Sequence, residues 1–120
     1  MKIIRANQQG LQKQTTNFFT GEVLRGPLVP EGESKDFIVG CVGFSKGVRN
    51  KFHTHTCDQL LIVTAGEGIV ATEDEQWTVS VGDVVMIPAG LNHWHGATSE
   101  SDFTHIAIVT SGSTTTQTEE

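Results

Sequence analysis

The sequence predicts an all-β protein, a sandwich or barrel of short strands. Short runs of β-branched and aromatic residues recur along the chain, and Gly-containing turns separate them. No segment combines a long 3.6-residue apolar period with capping residues, so we expect little helix. The 120 residues fit a single domain, 1–120, which is long enough to bury a core.

The first twenty residues are ambiguous and are interpreted as an N-terminal arm. Residues 2–5 have the composition of an edge strand, whereas residues 8–17 are polar and are expected to form a loop. The tail, residues 111–120, contains Ser, Thr, Gln and Glu with almost nothing to bury. We expect this tail to be flexible, or ordered only by crystal packing.

The predicted barrel occupies residues 21–110. Its clearest strands are residues 36–44, 59–64, 68–72, 76–81, 83–87 and 103–109. Residues 65–68 are interpreted as a turn because they contain Gly66 and Gly68. Residues 73–75 are acidic and predict a hairpin between the strands on either side, and Pro88 and Gly90 end the fifth strand.

Charge and hydropathy exclude several classes of partner. The net charge is −6 and the eight basic residues are scattered, which argues against a nucleic-acid partner. No run approaches the roughly 20 apolar residues of a membrane span, and the N-terminus lacks the apolar region of a signal peptide. We expect a cytoplasmic protein in which Cys41 and Cys57 are free thiols.

Three histidines and a glutamine are spaced like the ligands of one metal ion. His53 and His55 are at positions i and i+2, so on a strand both imidazoles face the same side. Gln59 follows a short bend, and His93 arrives from another strand. Imidazole suits Zn, Cu, Fe and Ni, while oxygen ligands suit Mn and Mg. Cys57 lies inside this pattern and is a possible soft ligand, although the spacing does not require it.

The other two histidines, His95 and His105, are candidate acid–base residues. His95 lies two residues after His93, so on a strand both side chains can face the interior of the barrel. On the last strand His105 points to one face, and its neighbours Thr104 and Ile106 point to the other. His105 lies near the metal only if its face of the strand is the one that lines the cavity. A neutral histidine beside a metal can act as a general base, or it can orient a ligand through a hydrogen bond.

These residues resemble the two cupin motifs. Gly47-x5-His53-x-His55-x3-Gln59-x6-Gly66 resembles the first motif, and Gly82-x5-Pro88-x-Gly90-x2-His93 resembles the second. The resemblance implies a small antiparallel jelly-roll barrel with a metal inside its mouth, held by His53, His55, Gln59 and His93. Two positions depart from the usual motifs: Gln59 stands where Glu is usual, and Ala97 stands where Asn is usual.

A narrower similarity extends from about residue 19 to residue 109. The chain is similar to the cupin subgroup often labelled carboxymuconolactone-decarboxylase-like, which includes bacterial manganese-dependent hydroxynitrile lyases. This resemblance implies one divalent transition-metal ion, Mn first and Fe, Ni, Zn or Co as alternatives. It also favours the arrangement in which the face of the last strand that carries His105 lines the cavity, near the metal.

The expected function is that of a Lewis-acid metalloenzyme of lyase type. Its substrate would be small and polar or anionic, because Gln59 leaves the charge of the ion uncompensated. The resemblance suggests carbon–carbon cleavage, decarboxylation or hydroxynitrile-lyase-like chemistry with His105 or His95 as base. The alternatives are a non-catalytic metal- or ligand-binding cupin and a metal-dependent dioxygenase. We also expect a homodimer or larger homo-oligomer.

Overall fold

The computed structural model describes residues 1–8 and 10–120 and confirms the predicted all-β jelly roll. Its strands are β1 Gln12–Gln14, β2 Val23–Val29, β3 Phe37–Phe44, β4 His53–His55, β5 Gln59–Ala71, β6 Gln76–Ser80, β7 Val84–Ile87, β8 Trp94–Ala97, β9 Phe103–Thr110 and β10 Thr115–Gln117. The described part of the chain contains one short 3₁₀ turn, Ala6–Gln8, and no α-helix. None of its helices is long and apolar enough to cross a membrane.

The strands form two layers that share the long strand β5. In the first layer the order is β1-β2-β3-β9-β5, and β7 pairs with the beginning of β5. In the second layer the end of β5 lies between β6 and β8. The segment that leads into β4 runs beside β8 through backbone hydrogen bonds, and β4 pairs with β10. The sheets do not close into a continuous barrel, and the apolar core lies between the layers.

The passage of β5 from one layer to the other depends on Gly66. The register shifts between Val63 and Ala65, so a bulge bends the strand there. Gly66 has a φ of 72°, and a Cβ at this position would lie 1.8 Å from the carbonyl oxygen of Asp102. Only glycine fits this backbone. The prediction of a turn at residues 65–68 is therefore wrong, because the chain bends within a continuous strand.

The N-terminal arm differs from its prediction. Residues 2–5 form no strand, and Lys2 instead pairs with Glu33 at the surface. The strand of the arm is β1, which lies within the residues expected to be a loop and pairs with β2. An exposed edge strand needs backbone partners more than apolar side chains, so the polar residues of β1 do not prevent pairing.

Strand β2 is, like β1, a strand that the sequence analysis did not predict. Gly26 and Pro27 interrupt its β pattern and argue against a central strand. Beyond Arg25, however, β2 is paired only with β3, and its register shifts between Pro27 and Val29. The missing N–H of Pro27 is tolerated because this half of β2 is an edge of the sheet.

The tail also differs from the expected flexible segment. Thr115–Gln117 pairs with β4 in the register Thr115↔His55 and Gln117↔His53. Backbone hydrogen bonds supply the order that the polar composition does not predict. The strand that carries two candidate metal ligands is therefore held by residues more than fifty positions away.

Candidate metal centre

Backbone pairing brings three of the predicted ligands together. His53 and His93 exchange two backbone hydrogen bonds, of 3.0 and 3.1 Å, so their side chains start from adjacent positions. His55 lies two residues along β4 and shares the side of His53. The candidate ligand atoms of these three histidines lie within 4.8 Å of one another. This cluster could hold a metal ion.

Hydrogen bonds orient each ring so that Nε2 faces the centre. His53 Nδ1 donates to the Lys51 carbonyl at 2.6 Å, and His93 Nδ1 donates to the Leu91 carbonyl at 2.8 Å. His55 Nδ1 lies 2.9 Å from the Thr115 hydroxyl oxygen. Because a carbonyl only accepts, the first two contacts place the proton on Nδ1 and leave Nε2 basic.

Unpaired polar atoms mark the centre of the cluster. His55 Nε2, His93 Nε2 and Gln59 Oε1 are buried without a hydrogen-bond partner. Buried polar groups are almost always paired, so a converging group of unpaired acceptors needs an explanation. Two imidazole nitrogens and an amide oxygen, together with His53, form a donor set that fits a divalent transition-metal ion. The residues present therefore fit the metal that the motif spacing predicts.

The three histidines are held neutral, as metal ligands must be. Burial, with the neighbouring His93, lowers the pKa of His53 to about 3. Burial also lowers the pKa values of His55 and His93, and the charge of His93 adds to the effect on His55. Neutral imidazoles bind a metal ion without first losing a proton at pH 7.

His95 and His105 form a hydrogen-bonded dyad in the same interior. His105 Nε2 lies 3.1 Å from His95 Nδ1, and both residues are buried. Asn50 Oδ1 accepts a hydrogen bond from the backbone N–H of His95 at 2.8 Å, and this bond orients the Asn50 side-chain amide. Asn50 Nδ2 then lies 3.3 Å from His95 Nδ1 and 3.2 Å from His95 Nε2. Burial lowers the pKa of His105 to about 4 and that of His95 well below its usual range.

The Asn50 amide nitrogen can only donate, and it lies almost equally far from the two ring nitrogens of His95. These contacts are compatible with either direction of the hydrogen bond between His95 Nδ1 and His105 Nε2, because the direction depends on the tautomer of each ring. His105 Nδ1 is buried without a hydrogen-bond partner, so it is the nitrogen of this ring that is not engaged in the dyad.

A cavity of about 360 Å³ joins the dyad to the metal cluster. The cavity is lined from the sheet by His105, Val42 and Ala107. The face of β9 that carries His105 is therefore the face that lines the cavity. Its lining contains both aromatic and polar side chains. The lining residues are Phe18, Phe19, Arg25, Val42, Phe44, Asn50, His53, His55, Gln59, His95, His105, Ala107, Thr115 and Gln117.

Cys57, the possible soft ligand, lies outside this centre. It is absent from the histidine cluster, and its sulfur accepts the Thr110 N–H at 3.4 Å. Arg49 is also engaged elsewhere, since it forms a two-bond ion pair with Glu119 at 3.1 and 2.9 Å. Its guanidinium stacks on Trp94 at 4.7 Å.

Sequence reasoning missed Asn50, Thr115 and Arg25. Asn50 and Thr115 contact the histidines across 45 and 60 positions of sequence, and neither lies in a motif position. The only sequence signal for Arg25 is a charged residue inside an apolar run, Val23-Leu24-Arg25, and that run is followed by Gly-Pro.

The relatives of this chain agree with the fold. A protein from Granulicella tundricola named (R)-mandelonitrile lyase is 38% identical over 109 residues, which are 90% of this chain and 83% of that protein. The crystal structure of a cupin-like protein from Thermotoga maritima superposes with a TM-score of 0.86 at 32% identity, covering 94% of this chain and 87% of that one.

More distant structures share the fold alone. The polyketide cyclase RemF from Streptomyces resistomycificus has a TM-score of 0.83 at 13% identity and covers all of this chain, 100%, and 87% of its own. The family model described as the cupin domain matches residues 41–109, more than half of the chain. With its jelly-roll layers and histidine cluster, the chain belongs to the cupin family.

Proposed function

We propose that this protein is a metal-dependent lyase that breaks a carbon–carbon bond next to an oxygen-bearing carbon of a small substrate. The observation that carries the proposal is the shared cavity, in which a neutral donor set faces a buried histidine dyad. His53, His55, His93 and Gln59 are the ligands in this proposal. The relative from Granulicella tundricola, which is named a lyase, supports the same class of reaction.

A bound divalent ion would supply Lewis-acid stabilisation of an oxyanion. The chain's own contribution is acid–base chemistry and orientation. His105 takes up the hydroxyl proton of the substrate at Nδ1, the ring nitrogen that has no hydrogen-bond partner, while its Nε2 stays hydrogen-bonded to His95 Nδ1. Asn50 orients His95 without contacting the substrate. The walls at Phe18 and Phe44 exclude water from the reacting atoms.

For a cyanohydrin, the balanced reaction is simple. The hydroxyl proton moves to His105, the bond to the nitrile carbon breaks, and cyanide leaves with the electron pair. The remaining carbon becomes a carbonyl carbon. Cyanide then takes the proton back and leaves as hydrogen cyanide, so no oxidant or reductant is consumed.

The metal itself should be determined first. Manganese is our proposed ion because of the hydroxynitrile-lyase resemblance, and Fe, Ni, Zn and Co fit the same ligands. Elemental analysis of protein purified without added metal is expected to show about one transition-metal ion per chain. His53→Ala and His93→Ala should each lose most of it. Wild-type protein that binds no such ion from a metal panel would contradict the proposal.

The activity test uses mandelonitrile and a panel of small 2-hydroxy, 2-oxo and lactone substrates. We expect metal-loaded protein to release an aldehyde and cyanide from mandelonitrile, or to cleave a panel member. His105→Ala should lower kcat by about 10²–10⁴-fold, the usual contribution of a general base. His105→Ala should retain its metal, which separates this loss from that of His53→Ala. Metal-loaded wild type that turns over nothing would favour the non-catalytic alternative.

The dioxygenase alternative is separated by removing oxygen. The neutral set of three histidines and a glutamine lacks the two-His-one-carboxylate arrangement of many iron oxygenases. Lyase turnover should proceed at the same rate under anaerobic conditions. Turnover that stops without oxygen would overturn the lyase proposal.

A further inference from the structure

Arg25 lies in a row of cavity-lining residues that ends at the dyad. In cross-strand register Arg25 faces Val42, and Val42 faces His105. Directly opposed residues on adjacent strands share one side of a sheet. Neighbouring strands are roughly 4.8 Å apart, so the backbones of Arg25 and His105 are separated by roughly 10 Å, with Val42 between them. Because all three residues line the cavity, a small molecule lying over Val42 can reach both Arg25 and His105.

The charge of Arg25 has no partner of opposite sign in the cavity. No Asp or Glu is among the lining residues, and the ion pairs found in residues 1–8 and 10–120 do not include Arg25. Its guanidinium lies 5.8 Å from the ring centre of Phe19 and 3.4 Å from Gln14 Oε1. Arg25 is exposed as a whole residue, but burial of the guanidinium lowers its pKa. The group stays cationic nonetheless.

The charge of a metal ion bound in this cavity would also lack a partner of opposite sign. Three imidazoles and an amide carry no negative charge, so a divalent ion there would keep both of its charges. A cation removed from water is stable only when it is paired. The cavity is thus lined by the cationic Arg25, by ligands that would leave a metal ion's charge uncompensated, and by the neutral rings of Phe18, Phe19 and Phe44.

We infer that the ligand of this cavity is a small carboxylate with an oxygen on the adjacent carbon, a 2-hydroxy or 2-oxo acid. Arg25 holds the carboxylate, for which its planar fork of donors is suited. The neighbouring oxygen is directed towards the metal ligands and His105, and the rest of the molecule lies against the phenylalanines. The assignment of the oxygen rests on the proposed metal site, whereas the assignment of the carboxylate rests on Arg25.

The test is a binding measurement with (R)-mandelate and (R)-mandelamide as probes. The two share a skeleton, and only the first carries a carboxylate. Calorimetric titration of manganese-loaded wild type, Arg25→Met, Arg25→Lys and Lys35→Met gives each affinity. Lys35 is exposed in the loop between β2 and β3, so Lys35→Met removes the same charge outside the cavity.

We expect Arg25→Met to weaken mandelate binding by about tenfold or more, the usual effect of losing a charge-assisted hydrogen bond. Mandelamide binding should change less than about twofold, a difference within the scatter of such measurements. Arg25→Lys should recover part of the affinity, and Lys35→Met should match wild type. Equal loss for both probes in Arg25→Met, or no loss for mandelate, would overturn the inference.

Failure of the proposed lyase reaction gives a different result. If the protein is a non-catalytic binder, mandelate still binds and still depends on Arg25, while no probe is turned over. If the metal assignment alone is wrong, Arg25-dependent binding persists in protein treated with a chelator. Loss of turnover and loss of Arg25 dependence are therefore separate outcomes.

Discussion

Asn50 orients the ring of the buried His95. Its amide is oriented by the backbone N–H of His95, so its nitrogen faces the His95 ring, 3.3 Å from Nδ1 and 3.2 Å from Nε2. Because the amide nitrogen only donates, a ring nitrogen of His95 must accept. A residue outside the motifs therefore supplies a hydrogen-bond donor to the histidine dyad.

Asn50→Asp should change the proton positions in the dyad. A carboxylate keeps the acceptor for the His95 backbone but can no longer donate, so the His95 ring donates to it instead. Long-range ¹⁵N–¹H NMR spectra of the imidazoles report the proton positions directly. Asn17→Asp, at an exposed position, adds the same charge and should leave the spectra unchanged. Identical proton positions in Asn50→Asp and wild type would contradict this role of Asn50.

The buried histidines should also make the metal-free protein sensitive to acid. The folded pKa values of His53 and His105 are about 3 and about 4, while an unfolded histidine titrates near 6.5. Below pH 6.5 the unfolded state therefore binds more protons, and stability falls as the pH is lowered. The loss is on the order of 1 kcal/mol per histidine for each pH unit.

This dependence can be followed by denaturant melts of chelator-treated protein between pH 7.5 and roughly 4.5, the window set by these pKa values. His105→Gln should show a shallower slope because one titrating group is gone. The comparison uses slopes, so a change in baseline stability does not affect it. A stability profile that is flat across this range would show that the histidines are not buried as neutral groups.

Strand β10 pairs with β4, the strand that carries the candidate ligands His53 and His55, and holds it in place. It pairs along all of β4, and beyond it the Thr118 N–H donates to the Phe52 carbonyl at 2.9 Å. Glu119 accepts the Phe52 N–H at 2.9 Å and pairs with Arg49, which lowers the pKa of its carboxyl group. An element of exposed polar residues thus positions the metal centre through its backbone and one hydroxyl.

Thr115→Val should weaken metal binding by about 10–100-fold, the usual cost of losing a hydrogen bond to a ligating histidine. Thr115→Ser keeps the hydroxyl and should retain near-normal affinity. Thr116→Val is the matched control, because alternation along β10 points that side chain to the opposite face. Affinities come from competition with a chromophoric chelator. Equal affinity in Thr115→Val and Thr116→Val would rule out the positioning role of Thr115.

At the scale of the whole molecule, the outer face of the first layer is apolar and partly exposed. Two rows of paired residues cross β3, β9, β5 and β7 on the side away from the cavity. They are Val39, Ile108, Leu60 and Met86, and beside them Cys41, which is buried, Ile106, Ile62 and Val84. Met86 and Val84 are each 59% exposed. A continuous apolar face of this kind is typical of a contact with another chain.

We therefore propose a homodimer formed through this face. Met86→Lys and Val84→Lys should each yield monomers, because a buried unpaired ammonium opposes association. Val81→Lys is the control, since Val81 is exposed outside the two rows. Size-exclusion chromatography with light scattering measures the mass. A wild-type protein that is monomeric at micromolar concentration would contradict the proposal.

The local pattern of the chain was sufficient to predict the all-β class and the four candidate ligands. Alternation on a strand dictates that His53 and His55 share a face, and this holds whatever surrounds them. The same rule failed to identify β1 and β10, because polar edge strands depend on backbone partners elsewhere in the chain, and it failed at β2 because Gly26 and Pro27 interrupt the pattern. Composition at those positions carries no signal about the partner.

The tertiary structure decided which neighbours the ligands have. Thr115, Asn50 and Arg25 reach the cavity from strands and loops that are distant in sequence, and only the register of the sheets brings them there. The motif spacing by itself determined that a metal could be bound, since spacing sets which ligands converge. The folded sheets determined ring orientation, proton positions and the charge of the cavity, because these properties arise from contacts between segments that are not adjacent in sequence.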